Sequence, residues 1–579
     1  MKKVNDFFTM HKSANLFLLL LLLAITFIAS FSTIFKVHYD ELQGTHSWLS
    51  GSTIKFVNNW LEETPQKLHF VNYESPDSIE FNETTERGPY ISYPSGCTLF
   101  VYFAAKIVGR NTIGISFLKH FQMICFLLEV LLFGLFVYRF LGKSGIESVK
   151  EKLFVSFATA TFWSWLPTNV WYLANVYFAD QCIILFVMAF LLVEYECYYC
   201  EKKSLSISLN FIKSILILCG VLIDYYFWIL AFVAFIFQIV ITVKSEKSIG
   251  HIIINSLWYA IPVILALGFY AYQLFSVPNW KSILFAKFEQ RAGLVKTDTG
   301  PGVFNTPKFI IKNLIRNFIY AFGLKENLKV LPLLLLVLYL FVKKADKSEK
   351  KSHFVYKEII FSKNGIIIIL GVISPILQIL LLKNHSAIHE FSQIKLSWIF
   401  AMFPLVVSLI SVNFNNYFEE KIVYLGKIKI SYFLNLFIIS FLCIAFLTAV
   451  PFSSWSFRKS RMEEYHDYHL AEILKDNTSF EHVCFSFSYE IPNNPPQELA
   501  ISRKQVYKIN SKEELESYFP NLKENAKKIF VIDKTALSTL TNEQIESQLD
   551  LQSSNVAIYE DDQFCLLEIC SDKTSVLDK

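Results

Sequence analysis

The sequence predicts an all-α polytopic membrane protein of about eleven transmembrane helices that carries a soluble α/β domain at its C-terminus. Three observations predict it. Hydrophobic residues make up 53% of the 579 against 18% charged, Phe alone counts 56, and the mean hydropathy is +0.39. An ordinary globular chain holds close to half apolar residues even with Gly counted, so lipid must solvate most of this one. Apolar runs near the 20-residue spanning length recur along the chain, divided by Lys/Arg-bearing turns. Finally, residues 456–579 hold 14 Lys+Arg against 22 Asp+Glu, a balance of −8, while the preceding part carries +12. These numbers describe a cationic membrane body and an acidic tail. Disorder, collagen and a small disulfide scaffold are excluded, and a net charge of +4 is too small to argue for nucleic acid.

The first expected helix, 16–35, comes after Lys2, Lys3 and Lys12. Its apolar run is too long for a signal-peptide core, so it reads as a retained helix with a cytoplasmic N-terminus. Further spans read at 117–141, 153–167, 177–198, 206–223, 225–243, 251–275, 328–342, 359–382, 396–412 and 430–451. Alternation then puts Arg139, Lys143, Lys150, Lys152, Lys202, Lys203, Lys244, Lys247, Lys421, Lys427, Lys429 and the run 343–351 in the cytoplasm. The stretch 93–108 must not cross, because counting it would invert every later loop. It is short and opens on Pro and Gly, which reads as an interfacial or re-entrant helix. The outer features are then the first loop 36–116, a basic loop 276–326, a short loop 383–395 and the tail. The expected domains are therefore 1–455 and 456–579. In the tail, β-like runs (HVCFSFSY, KKIFVID, NVAIYED, FCLLEI) alternate with polar helical segments such as SKEELESYF.

Ten scattered cysteines show no disulfide framework, and Cys197 with Cys200 lacks the second pair a zinc site needs. Asp40 and Glu41 stand five residues beyond the first helix. An acidic pair there is either an interfacial flank or a catalytic element. The outer loop beyond the pair ends in RGPYISYPSG, immediately ahead of the non-crossing helix.

At these residues the chain resembles the GT-C superfamily of polyprenyl-phosphate-sugar glycosyltransferases, which includes the protein O-mannosyltransferases and the lipid A aminoarabinose transferases. The shared pattern is an N-terminal span, an Asp-Glu opening the first outer loop, and a Pro-bearing motif before an amphipathic helix. Here that motif is Tyr93-Pro94-Ser95-Gly96, with Ser in place of the second Pro. The resemblance runs over roughly residues 14–450 and implies a general base at Asp40 acting on the acceptor hydroxyl, with Glu41 orienting or sharing that contact. It implies inversion at the anomeric carbon with the lipid phosphate leaving. It also implies no metal or other cofactor, since the Trp-Trp-Asp signature of oligosaccharyltransferases is missing from the tail.

Further candidates rest on the same logic. Asp180, near the outer entrance of the fourth span, is either a solvated interfacial residue or the second acid that such enzymes hold near the site. Asp224, beside Tyr225 and Tyr226, caps a turn or faces a sugar. The basic outer loop runs against the positive-inside tendency. Lys287 and Arg291 there, with Arg87 of the first loop and Tyr93, are expected to hold the donor; attraction to bulk anionic lipid is the other reading of those cations. His385 and His389 share a helical face, but HSAIH lacks the Glu of a zinc-protease motif, which leaves sugar hydroxyls or phosphate oxygen as ligands. Sequons at Asn82, Asn384 and Asn477 agree with the topology at chance frequency.

The expected function is sugar transfer from a polyprenyl-phosphate donor to a glycan, lipid or protein acceptor on the outer or lumenal face. The expected location is the plasma or inner membrane, or the endoplasmic reticulum of a eukaryote, with the C-terminal domain outside. A lipid-linked-sugar transporter or flippase, or an inactive relative serving as a binding module, is the alternative. The large asymmetric outer loop and the absence of an evident inverted repeat weigh against transport.

Overall fold

The computed structural model describes residues 12–35, 42–75, 87–144, 149–244, 248–294, 307–322, 362–402 and most of 467–569, with a few short pieces between them. The chain divides into two compact units. One comprises residues 1–39, 119–271 and 281–463; the other comprises 40–118, 272–280 and 464–579. The expected spans at 328–342 and 430–451, the charged run 343–351, and both Asp40 and Glu41 lie outside the described residues.

The first unit is a helix layer. Seven helices among the described residues are long and apolar enough to cross a membrane. In chain order the helices are α1 (Lys12–Phe35), α4 (Ile115–Lys143), α5 (Val149–Ser164), α6 (Ala179–Tyr199), α7 (Lys203–Val221), α8 (Tyr225–Lys244), α9 (Ile249–Phe275), α10 (Trp280–Ala292), α11 (Pro307–Ala321), α12 (Lys363–Leu381) and α13 (Lys383–Ile388). Of the expected spans, 153–167 becomes α5, whose 16 residues leave it outside the seven. Small residues let these helices close up, as membrane packing requires. A Cβ on Gly371 of α12 would overlap the Trp398 ring, and one on Gly134 of α4 would overlap Leu23 of α1. The aromatic content is spent here, on Phe126, Phe133 and Phe136 packed around Trp163 and Trp398.

Two intramembrane helices are also tied by charge. Lys213 of α7 faces Glu194 of α6 at 3.2 Å, both buried, and the Tyr259 hydroxyl of α9 donates to Glu194 at 2.5 Å. Such groups are costly in lipid unless they find one another.

The second unit joins the first loop to the C-terminal region, whereas charge alone assigned the loop to the membrane body. Its helix α2 (Ser47–Glu63) is buried along nearly its whole length. The C-terminal region holds the loop at both ends of α2 and on either side of it. Tyr468 donates to the Leu42 carbonyl, Gln497 Nε2 to Ser47 Oγ at 3.2 Å, Arg503 pairs with Glu62, and Ser75 bonds Gln505. A short hairpin, β1 (Asn72–Tyr73) with β2 (Pro89–Tyr90), comes after α2. Then comes α3 (Gly96–Ile107), whose 12 residues span about 18 Å against a hydrocarbon core of about 30 Å. It is too short to cross. Phe103, Ile107 and Val108 are exposed along it.

The C-terminal sheet has the order β4-β3-β5-β7-β6, formed by β3 (His482–Ser486), β4 (Val506–Lys508), β5 (Lys527–Asp533), β6 (Val556–Glu560) and β7 (Phe564–Glu568). Strands β4, β3 and β5 are parallel, and β7 and β6 add antiparallel. Apolar side chains on both faces explain why β3 is buried throughout. Val483, Phe485 and Phe487 enter one core with Phe530 and Leu551, while Cys484 enters the other with Leu470, Leu474 and Val531. Parallel strands covered on both faces have this pattern.

Candidate functional site

In the first unit three distant segments converge on one cation. Asp180 sits in the first turn of α6, Asp224 in the turn between α7 and α8, and Lys395 in a 3₁₀ turn over Glu390–Leu396 that comes after α13. Lys395 Nζ donates to Asp180 Oδ1 at 2.7 Å and to Asp224 Oδ2 at 2.7 Å, and all three side chains are buried. Asp224 is fixed further. Its Oδ1 accepts the backbone N–H of Tyr226 at 2.8 Å, the usual bond of an Asp ahead of a helix, and Gln378 Nε2 of α12 at 3.3 Å. The Lys395 ammonium lies 5.4 Å from the centre of the Tyr226 ring.

The electrostatics are set by the count of two carboxylates to one ammonium. Burial by itself would lower the pKa of Lys395, but Asp180 and Asp224 more than reverse this and hold the ammonium above its ordinary value. Burial raises Asp224, and the Lys395 charge opposes it. With both carboxylates ionised, the cluster carries one net negative charge. It also keeps spare hydrogen-bonding capacity: the Tyr226 hydroxyl and Gln378 Oε1 are buried without a hydrogen-bond partner. Buried polar groups of that kind are the exception in folded proteins.

A ring of other candidates lies close by. The His385 and His389 rings are 4.6 Å apart, and His389 stacks on Phe391 at 5.0 Å. Burial pushes the His389 imidazole down to about 4; Arg291 acts in the same direction and Asp180 against it. His389 is therefore neutral at pH 7 and able both to donate and to accept. Arg291, in the last turn of α10, is within electrostatic reach of His389 and also of Tyr225, whose hydroxyl is 2.8 Å from that of Tyr270. Lys287 is on the same helix but exposed.

The segment that carries His385, His389 and Lys395 is fastened from several sides. Asn317 of α11 donates to the Ser386 and Ala387 carbonyls at 3.1 and 3.0 Å, and the Tyr172 hydroxyl donates to Glu390 at 2.5 Å. Asn384 is buried and donates to the Gln290 carbonyl at 2.8 Å, so this sequon serves packing.

The structure thus joins Asp180 and Asp224 through Lys395 and puts His389, with His385 beside it, in the electrostatic field of Asp180 and Arg291. It gives Arg87 another role than the expected one. In the second unit its guanidinium forms a fork on Glu63 at 2.7 and 3.1 Å, donates to the Ser75 carbonyl, and lies 5.0 Å from the centre of the Tyr73 ring. An Arg so engaged ties the loop to α2 instead of waiting for a phosphate. Tyr93 is buried in the same unit. Among the described residues no group of three or more His, Cys, Asp and Glu side chains is arranged to hold a metal. Sequence reasoning missed Lys395. Its one signal was a lysine just ahead of an expected span on the side where lysines are disfavoured.

Fold and helix content define the class: a polytopic membrane protein with the fold of the GT-C glycosyltransferases. No family model matches the chain, and no curated protein does. Among solved structures it is similar to ArnT of Cupriavidus metallidurans bound to undecaprenyl phosphate, at 8% identity and a TM-score of 0.54 over 95% of this chain and 98% of that one. The oligosaccharyltransferase of Archaeoglobus fulgidus tethered with an acceptor peptide matches at 12% identity and a TM-score of 0.46 over 95% and 73% of the two chains. AglB of the same organism, in complex with an inhibitory peptide and a dolichol-phosphate, matches at 12% and 0.47 over 94% and 73%.

Proposed function

We propose that this protein transfers a sugar from a polyprenyl-phosphate donor to an acceptor hydroxyl, with inversion, on the non-cytoplasmic face of its membrane. One observation carries the proposal: a buried cluster of two carboxyl groups, Asp180 and Asp224, on the single ammonium of Lys395, with Arg291 in electrostatic reach of the nearby His389. Breaking a glycosyl phosphate develops positive charge at the anomeric carbon and negative charge on the departing phosphate. The observed polarity suits that separation, with a fixed anionic pole for the sugar and a guanidinium for the phosphate. Preorganised charge of this kind is a large term in catalysis because it needs no reorientation during reaction.

The roles divide by how tightly each carboxylate is held. Asp224 is locked by a backbone N–H, an amide and the ammonium, so it positions Lys395. Asp180 is the carboxylate that faces the sugar. Neutral His389 and the Tyr226 hydroxyl contact sugar hydroxyls. Asp40 is the proposed base on the acceptor, supported by the resemblance of its sequence context, with Glu41 assisting. The acceptor is a glycan, lipid or protein hydroxyl.

Purified protein in liposomes with a radiolabelled polyprenyl-phosphate sugar tests this reading. Transfer or hydrolysis by the native chain is expected, and Asp180→Asn should lower turnover by about 10²-fold or more while donor binding persists. Label entering vesicles without transfer would identify a transporter, and unchanged turnover in Asp180→Asn would remove the cluster from the reaction.

A further inference from the structure

The basic outer loop has one composition but two destinations, and only one of them is the site. Arg291 lies within reach of His389 and Tyr225. Lys308, Lys312 and Arg316 lie on α11, the 15-residue helix Pro307–Ala321, and all three are exposed. Their spacing of four sets them in one stripe of an α-helix. Beside that stripe runs a second, apolar one: Ile311, Ile315 and Phe318 are 58%, 56% and 38% exposed. The opposite face, with Ile310, Asn313, Asn317 and Ala321, is buried.

Two contacts fix the height of α11. Asn317 donates to the Ser386 and Ala387 carbonyls of α13, and α13 begins two residues after the span Lys363–Leu381 ends. The helix is thereby held at the level where a spanning helix leaves the hydrocarbon. An apolar stripe exposed there suits acyl chains, and a cationic stripe next to it then stands at headgroup depth.

We infer that α11 is a docking surface for the anionic phospholipids of the surrounding bilayer, with Ile311, Ile315 and Phe318 in the acyl layer and Lys308, Lys312 and Arg316 on headgroup phosphates. Charge complementarity selects this occupant. A zwitterionic headgroup offers these cations no net attraction, whereas an anionic one at the surface attracts each basic residue. None of the six side chains of the two stripes is among the proposed catalytic residues, and the inference stands whether or not the protein transfers sugar.

The test uses the full chain in phosphatidylcholine liposomes with trace spin-labelled phosphatidylglycerol or spin-labelled phosphatidylcholine. The protein is expected to immobilise the phosphatidylglycerol probe several-fold more than the phosphatidylcholine probe. A combined Lys308→Gln, Lys312→Gln and Arg316→Gln variant is expected to lose most of that preference. Inorganic phosphate in excess, at ionic strength matched with chloride, should leave the preference intact. A nitroxide on Ile315→Cys should be more accessible to oxygen than to a water-soluble nickel chelate. Equal immobilisation of the two probes by the native chain, a preference that survives in the triple variant, competition by free phosphate, or a water-like Ile315→Cys nitroxide would each overturn the inference.

Discussion

Replacing Lys395 by Met removes the one cation that two buried carboxylates share, and the structure sets the size of the effect. Each Nζ–carboxylate contact is 2.7 Å, worth on the order of 6 kcal/mol at an effective dielectric of about 20 before desolvation is charged against it. Removing one partner of a buried pair costs about 3–5 kcal/mol, because the remaining charge stays buried without its counterion. Two carboxylates remain here, so one takes up a proton, and its folded pKa then lies above the unfolded value of about 3.9. A raised carboxylate pKa contributes stability below the unfolded pKa and loses it as pH rises through the folded value. The penalty of Lys395→Met is therefore largest at neutral pH and shrinks towards pH 4. Thermal unfolding of detergent-purified protein between pH 4 and 8 measures it. Combining Lys395→Met with Asp180→Asn and Asp224→Asn should restore most of the lost stability without activity. A Lys395→Met protein as stable as the native one at pH 7, or equally destabilised at every pH, would refute this account.

Two further outcomes are expected. A Cβ on Gly51 would lie 2.8 Å from the backbone of Pro496 and Gln497, atoms that cannot yield as a side chain can, so Gly51→Val should loosen the C-terminal region from α2; limited proteolysis should then release a C-terminal fragment faster than from native protein, and identical digestion would show that this contact is not tight. Asp40→Asn should insert normally, bind donor and lose about 10²-fold or more in turnover, with Asp40→Glu recovering little; a fully active Asp40→Asn beside a dead Glu41→Gln would move the base one residue along.

What the sequence disclosed depended on how local each determinant is. Helices α4, α6, α8 and α9 were legible because crossing a bilayer requires a continuous apolar run, which composition shows directly. The shortness of α3 was legible for the same reason, since its Pro and Gly punctuate an apolar stretch. His385 and His389 were readable as neighbours because helical spacing is a local property. Lys395 was not, since its role arises from partners 215 and 171 residues away along the chain. Arg87 was misread for a related reason. A cation in a loop invites a phosphate, but Glu63 is 24 residues upstream, and only the fold of α2 back on the loop brings it within 2.7 Å. The basic loop was legible as a whole and not in its parts, because composition counts charges while α10 and α11 decide where each one stands.

Two buried charge clusters among the described residues of the helix layer, compared with each other, suggest which is suited to chemistry. Glu194 and Lys213 match one for one, and Tyr259 adds a neutral donor to the same carboxylate. A neutral cluster of that kind ties three helices and has no charge left to offer. Asp180, Asp224 and Lys395 are also buried and also paired, so pairing does not separate the two. The ratio does. With both carboxylates ionised, two acids on one base leave a negative charge that structure alone does not call for, since a single Asp–Lys pair would join two of the same segments at lower electrostatic cost. Polar atoms without a hydrogen-bond partner occur at both clusters, at Tyr226 and Gln378 in one and at Glu194 and Tyr198 in the other, so they do not separate the two; His389, in the field of Asp180 and Arg291, is near the first. Under the proposed transfer reaction, the developing cation of a departing glycosyl phosphate is the partner of the right sign for such a charge.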